Sequence, residues 1–491
     1  MAVQHRCPLK GSRMAAPGRN RIYMASIVFC QVIVFLRYVA LARILGPDQV
    51  GLMSILVLTA SLFELITDFS VDRYLVVSPK GDDPRMQRVS HGITVVRGVL
   101  IAGMMLVSAI PVAQLYGEPS IYPSLMVLAV YPLIAGFVHN DVRTVQRNMN
   151  FTPEAIVNIS AECVAFVVTV ATAFVTQSYT AIVVGLIARS IAQLIATHAV
   201  AHRRYEIGFD RDYLRPMVLF ALPLSLNGLL LYASGQGDRL VVGSLVGTRE
   251  LGLYASTLLL ILYPSSMVGR FFMNTALPTI SKTVWSEGGA GDSVHRLGVR
   301  FALWTLAMAL GFAIVAPFAV PVLYGAAFQL PLVVIGLIGM LQGTRFAQQW
   351  LGTSFMAIDR TRGTLTLNIV RIVGVLLCLP IIIAHPTLTV VVSTVFAAEA
   401  AALFIGIVLV NRAMKVRWYR GMGNFGAILL ILILFNAGVA LMMEGGQATG
   451  PALLAASLIL MIGWLIYRRT IILDELSALP VIGPRLIARL R

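Results

Sequence analysis

From residue 22 to residue 468 the chain alternates long apolar runs with short, polar and mostly basic connections. The runs fall at 22–43, 50–70, 92–113, 121–141, 154–176, 179–200, 216–236, 251–273, 297–321, 330–350, 363–384, 386–411, 423–443 and 450–468. Each comes close to the roughly 20 residues that a helix needs to cross the hydrocarbon core of a bilayer. Their apolar positions are continuous. Strands of a transmembrane barrel would instead alternate apolar and polar at every second residue. The pattern predicts an all-α polytopic membrane protein with about fourteen spans.

One pattern returns within that series. Leu45-Gly46-Pro47-Asp48-Gln49-Val50-Gly51-Leu52 follows the first run, and Val246-Gly247-Thr248-Arg249-Glu250-Leu251-Gly252-Leu253 follows the seventh. Glycine suits both places, because a tight turn between antiparallel spans needs either a positive φ or close helix approach. An even number of spans separates the copies, so both halves insert the same way up and form two six-helix parallel pseudo-repeats. The expected layout is a basic N-terminus (1–21), an N-lobe (22–205), a C-lobe (206–411), two further C-terminal helices (412–470) and an amphipathic tail (471–491). The first run is too long and too arginine-flanked for a cleaved signal peptide, so it is expected to stay as a span.

Composition agrees: 58% of the residues are hydrophobic and only 12% charged. The net charge of +16 changes the picture only when its placement is considered. Alternate connections carry the basic residues, among them Arg73, Lys80, Arg85 and Arg88, then Arg203, Arg204, Arg211 and Arg215, then Arg412, Lys415, Arg417 and Arg420. The opposite side keeps Arg43, Arg239 and Arg249. Such a bias puts both termini in the cytoplasm, and attraction to anionic inner-leaflet lipid accounts for it without nucleic acid. Cys7, Cys30, Cys163 and Cys378 are scattered and read as small buried hydrophobes. The histidines form no metal motif, and Gly288-Gly289-Ala290-Gly291 lacks the Lys-Ser/Thr of a phosphate loop. No catalytic residue, metal or cofactor is expected.

Six arginines lie inside the apolar runs: Arg37, Arg97, Arg189, Arg270, Arg345 and Arg371. A charge at bilayer depth costs roughly 2.5–3.5 kcal/mol on insertion scales, so it persists where it meets water, a counter-ion or a ligand. Helical spacing extends four of them into stripes: Arg189, Gln193 and Thr197; Ser266, Arg270 and Asn274; Gln342, Arg345 and Gln349; Thr364, Asn368 and Arg371. The six arginines with Gln193, Gln342, Gln349 and Asn368 form the expected binding set for an anionic substrate in a hydrated interior. Counted from span ends, Arg97, Arg270, Arg345 and Arg371 fall in the cytoplasmic third, shallow enough also to anchor at headgroups. Among the acids, Glu64, Glu162 and Glu399 are deep enough either to neutralise an arginine or to carry a coupling ion, H+ or Na+. Asp68 and Asp141 read as solvated or capping groups at cytoplasmic ends, and Asp238 with Arg239 reads as a local pair at an external turn.

The stretch from Ala42 to Leu52, followed by an acidic second run, resembles the start of polysaccharide-repeat-unit (oligosaccharidyl-lipid) flippases. Asp238-Arg239-Leu240-Val241-Val242-Gly243, leading to Leu251-Gly252-Leu253-Tyr254, resembles that family's repeat, and Leu277-Pro278 the close of its eighth span. Val145-Gln146-Arg147-Asn148-Met149-Asn150-Phe151 is similar to a basic aromatic loop of the exopolysaccharide branch. The resemblance covers about residues 25–410. It implies the multidrug/oligosaccharidyl-lipid/polysaccharide exporter superfamily, two lobes in a V around a central cavity, and alternating access. Implied with it are an undecaprenyl-diphosphate-linked oligosaccharide as substrate, the cell inner membrane as location, and polysaccharide polymerase or export proteins as partners. A lipid II flippase fits less well, because Arg37 is followed by Tyr38 and not by an acid. A cation-coupled small-molecule antiporter of the same fold is the alternative. A membrane polymerase or glycosyltransferase is disfavoured, because the external connections are too short to hold an active site.

Overall fold

The computed structural model describes residues 17–67, 71–285, 290–360, 362–415, 417, 419, 421–445 and 448–469, without the side chains of 17–22, 223, 224, 227, 271, 272 and 274–293. The N-terminal 1–16, the amphipathic tail, Asp68, Gly288, Gly289, Arg420 and the side chain of Asn274 therefore lie outside the described residues.

Every described element is helical. In hydrocarbon each N–H and C=O must be satisfied inside its own segment, and a helix does this without a partner strand. The order is α1 (Pro17–Ile66), α2 (Val71–Val77), α3 (Pro84–Leu115), α4 (Tyr122–Leu128), α5 (Val130–Ala135), α6 (Asp141–Arg147), α7 (Thr152–Thr176) and α8 (Thr180–Val200). There follow α9 (Arg211–Val241), α10 (Thr248–Trp285), α11 (Ala290–Tyr324), α12 (Leu332–Ala357), α13 (Arg362–Ala384), α14 (Leu388–Ala413), α15 (Met422–Met443) and α16 (Thr449–Tyr467).

Ten described segments are long and apolar enough to cross a membrane, and one of them, Tyr23–Ile66, holds the first two expected spans. The remaining expected spans are the short apolar pair α4–α5, α9 and α12. The fourth expected span is not one helix. It is interrupted at Ala129, because Pro132 has no N–H for the Leu128 carbonyl. The half-buried states of Cys30, Cys163 and Cys378 correct the expectation of fully buried thiols.

The repeated turns use their glycines in the two expected ways. Gly46 has φ 77° and Gly247 φ 138°, values that a side chain resists. Gly51 and Gly252 allow close approach: a Cβ would fall 1.9 Å from the Thr248 carbonyl oxygen in one case and 2.0 Å from that of Pro47 in the other. The two turns therefore pack on each other.

The chain divides into two compact units. Unit 1 comprises residues 1–45 and 59–228; in it α7 packs along α8, and α5 bridges α3 and α8. Unit 2 comprises residues 46–58 and 229–491, and α12 lies among α10, α11, α13, α14 and α15. Residues from Val334 to Ala357 are buried on nearly every side of α12, including Trp350, whose indole N–H donates to the Val294 carbonyl at 3.0 Å. Surrounded by protein, α12 buries Gln342 and Gln348 and holds Arg345 and Gln349 half-buried.

Candidate functional site

Each unit buries guanidiniums around a single glutamate. In unit 1 Glu162, on α7, accepts the Nε–H of Arg189 from α8 at 2.7 Å and stands 3.3 Å from Nη1 of Arg37 on α1. The packing of α7 along α8 brings the first two together, as both lie near the middle of their helices. This carboxylate is incompletely used, since its Oε2 makes no hydrogen bond. The Arg189 side chain keeps 28% of its surface exposed, and its terminal nitrogens make no hydrogen bond among the described residues.

Glu64 and Arg97 form a neighbouring group in the same unit. Nη2 of Arg97 donates to the Glu64 main-chain carbonyl at 2.9 Å, and the Tyr131 hydroxyl donates to the Glu64 carboxylate. A small cavity of about 50 Å³ touches Glu64, Thr94, Arg97 and Pro132. The Arg97 Nε is buried beside it without a hydrogen-bond partner.

Unit 2 holds a denser cluster. Glu399 on α14 accepts from Arg345 Nε at 2.8 Å, from Arg371 Nε at 2.6 Å and Nη2 at 2.8 Å, and from Gln348 Nε2 at 2.9 Å. Asp238 on α9 accepts from Arg345 Nη1 at 3.0 Å and from the Tyr254 hydroxyl at 2.5 Å. The Ser234 carbonyl receives both guanidiniums, at 3.2 and 3.4 Å. Desolvating charges costs several kcal/mol per ion, and only saturated geometry of this kind offsets it.

These contacts correct three expectations. Asp238 does not make a mere local pair at a turn: it is 2% exposed and serves Arg345. Arg345 and Arg371 do not sit in an outer third of their helices: α12 runs on to Ala357, beyond the hydropathic run, which puts Arg345 near its midpoint, and Arg371 lies near the middle of α13. Asp141 is not solvated; it is 2% exposed, and accepts from Gln87 Nε2 at 3.2 Å and from the His202 N–H at 2.8 Å. Of the other predicted binding residues, Asn368 is buried and accepts from Arg371 at 3.4 Å, while its Nδ2 and the Nε2 of buried Gln342 are unpartnered. Gln193 and Gln349 are half-buried, and Arg270 is exposed and joins neither cluster. Gln348 and Tyr131 escaped the sequence reading, and Asp238 and Tyr254 entered it as motif residues, not as members of this cluster. Gln348 alone left a usable signal, three residues after Arg345 and so on the same face.

Asp141, at the start of α6, holds a strap (residues 201–210) that runs between α8 and α9. His91 Nε2 accepts from the Asn140 N–H at 3.1 Å, so its Nδ1 carries the proton given to the Glu206 carbonyl at 3.0 Å. His139 is fixed in the opposite tautomer, with Nδ1 accepting from the Asp141 N–H at 3.1 Å and Nε2 donating to the Arg203 carbonyl at 3.0 Å. Further on, the Tyr213 hydroxyl donates to Asp83, and that bond with the Arg85 N–H holds the Asp83 carboxyl below its usual range. A cleft of about 370 Å³ opens beside the strap, touching Asp82, Gln87, Arg88, Arg203, Arg204 and Glu206. Its arginines Arg88 and Arg203 are already paired with acids.

A family model described as polysaccharide biosynthesis protein matches residues 40–330. Among solved structures the chain is similar to the lipid II flippase MurJ in an inward closed conformation, with TM-score 0.64 and 12% identity over 92% of this chain and 100% of that one. It is similar also to an inward-facing multidrug resistance MATE family transporter of the MOP superfamily, with TM-score 0.58 and 14% identity over 80% of this chain and 99% of that one. A mutant of the Vibrio cholerae MATE transporter VcmN gives TM-score 0.52 and 12% identity over 82% and 98%. No curated protein sequence matches the chain. At such identities these likenesses establish the fold: that of polytopic membrane transporters.

Proposed function

The chain belongs to the polysaccharide biosynthesis protein family, and from that premise we propose that it is a flippase for undecaprenyl-diphosphate-linked oligosaccharide repeat units. It carries them from the cytoplasmic to the outer leaflet of the cell inner membrane, for exopolysaccharide or O-antigen-type assembly, with both termini in the cytoplasm. The physical need is plain: a diphosphate bearing sugars is polar and anionic, and its passage through hydrocarbon requires a compensating polar surface. Guanidiniums grip phosphate bidentately, which suits the arginine clusters to the headgroup while the prenyl chain stays in lipid. The observation that carries this reading is Arg189, placed mid-helix in α8 with its terminal nitrogens uncommitted and its side chain 28% exposed.

Alternating access moves the headgroup, and a polymerase or export protein takes the delivered unit. Of the three acids expected to couple an ion, Glu162 and Glu399 each hold two arginines, whereas the Glu64 carboxylate receives only the Tyr131 hydroxyl among the described residues. Coupling to H+ or Na+ therefore falls to Glu64. The likeness to multidrug transporters keeps a small-molecule antiporter as the second reading, but a cationic drug would find Glu162 and Glu399 already occupied by guanidiniums.

Replacing Arg189 by Ala tests the proposal. Membrane insertion is expected to stay normal while repeat units accumulate on the cytoplasmic leaflet, followed by labelling of lipid-linked sugar in inverted and right-side-out vesicles. Normal delivery by that variant would refute the role given to Arg189.

A further inference from the structure

The two clusters occupy corresponding places in the two halves, with their signs exchanged. Gly46 and Gly247 stand 201 residues apart, and the same offset carries Arg37 onto Asp238. Offsets of 209 and 210 carry Glu162 onto Arg371 and Arg189 onto Glu399. Each of these pairs lies near the middle of two long, mutually packed helices, α7 with α8 and α13 with α14. Reading along the chain, the first half places plus, minus, plus where the second places minus, plus, minus. In both halves the sixth span meets the fifth through an ion pair: Arg189 meets Glu162, and Glu399 meets Arg371.

Exchange of sign changes what each site can do. The minus-plus-minus set of unit 2 has two carboxylates and one guanidinium, and Arg345 from α12 enters to balance them, reaching both Asp238 and Glu399. With Gln348 and Tyr254 added, Glu399 has four donor contacts to its oxygens and Asp238 two side-chain donors. In unit 1 Glu162 has no such third side-chain partner among the described residues. One carboxylate serves two guanidiniums, through one hydrogen bond to Arg189 and a 3.3 Å ion pair to Arg37, and one of its oxygens accepts no hydrogen bond. Glu64 and Tyr131 act on Arg189 only from further away.

We infer that Glu162 is an exchangeable carboxylate: it occupies the Arg189 guanidinium until a diphosphate displaces it, whereas Glu399 is a fixed counter-ion that no anion displaces. Glu162 is thus a positioning residue acting through Arg189. It holds the guanidinium in place between cycles and competes with the substrate anion, so binding is tuned for release. The inference rests on the diphosphate reading above but can fail without it.

The test is binding of inorganic diphosphate to the purified full-length protein in detergent, by calorimetry, with thermal unfolding measured on the same samples. Glu162→Gln is expected to bind about tenfold more tightly, because the competing charge is gone and Arg189 is kept. Glu162→Asp keeps the charge but withdraws it by one carbon, so a smaller tightening of about threefold is expected even if the amide variant fails to fold. Glu399→Gln is expected to gain no affinity and to unfold at lower temperature. The inference is overturned if Glu162→Asp and any folded Glu162→Gln bind diphosphate no better than the wild type, or if Glu399→Gln tightens binding as much as Glu162→Gln. Wild-type protein that binds no diphosphate would overturn the diphosphate reading as well, whereas wild-type binding with unaltered Glu162 variants overturns the inference alone.

Discussion

Glu162 and Glu399 are chemically the same residue, each deep in the membrane-spanning part of the chain and each holding two arginines, yet their surroundings set them to different work. Glu399 sits at the focus of α9, α12, α13 and α14, saturated by Arg345, Arg371 and Gln348, with its side chain 3% exposed. Glu162 has one hydrogen bond, one looser ion pair and a partner, Arg189, whose side chain is 28% exposed. A buried ion cluster is strong when complete and costly when broken, because the partner left behind cannot return to water. The unit 2 cluster therefore reads as a clasp between helices, and the unit 1 cluster as a site with capacity to spare.

The comparison breaks most sharply at Glu399. Glu399→Gln leaves Arg345 with Asp238 alone and Arg371 with no carboxylate among the described residues, and a loss of about 3–5 kcal/mol of stability is expected, seen as a lower unfolding midpoint and poorer yield in detergent. If that variant unfolds like the wild type, the clasp is not one. Next in size is Gly252→Ala, whose Cβ would meet the Pro47 carbonyl oxygen at 2.0 Å. Overpacking of this kind costs about 1–3 kcal/mol, while Gly103→Ala, with nothing within 4 Å of its Cβ, is expected to cost nothing measurable in the same thermal scan.

Glu162→Gln sharpens the contrast from the other side. One charged hydrogen bond to Arg189 and the looser ion pair to Arg37 are lost, while the exposed face of Arg189 retains access to water, so about 1.5–2 kcal/mol is expected, below the Glu399 value. A loss equal to that of Glu399→Gln would erase the distinction between the two clusters. Smallest is the effect of pH at the start of α9. Asp83 is held below its usual range by the Tyr213 hydroxyl, so its contribution is present above the unfolded carboxyl pKa of about 4 and is lost as pH falls through the lower folded value. Tyr213→Phe is expected to flatten that acid limb of the unfolding midpoint slightly; an unchanged slope would show that the bond contributes nothing.

The sequence reading and the structure agree best where one residue type answers one local demand. Gly46 and Gly247 at positive φ, and Gly51 and Gly252 at a close approach, follow from the turn chemistry alone. The two differ where the answer depends on a partner far along the chain. Asp238 looked like a turn residue because the apolar run ends just before it, yet α9 continues through Val241 and buries it against Arg345. Glu162 and Glu399 were left open between neutralising and coupling roles, since spacing within one helix does not say which face another helix will cover. Arg270 shared the stripe pattern of its fellows and still joined neither cluster.

Hydrophobic length and periodicity, which are properties of single segments in water or lipid, determined that this chain is an all-helical membrane protein, where most of its spans lie, and that its two halves repeat. Family membership followed from motifs equally local. Which arginine meets which acid was decided only by helix packing, because a guanidinium at bilayer depth is stabilised by whatever donor or acceptor reaches it within a few ångströms, and those groups arrive from helices tens or hundreds of residues away.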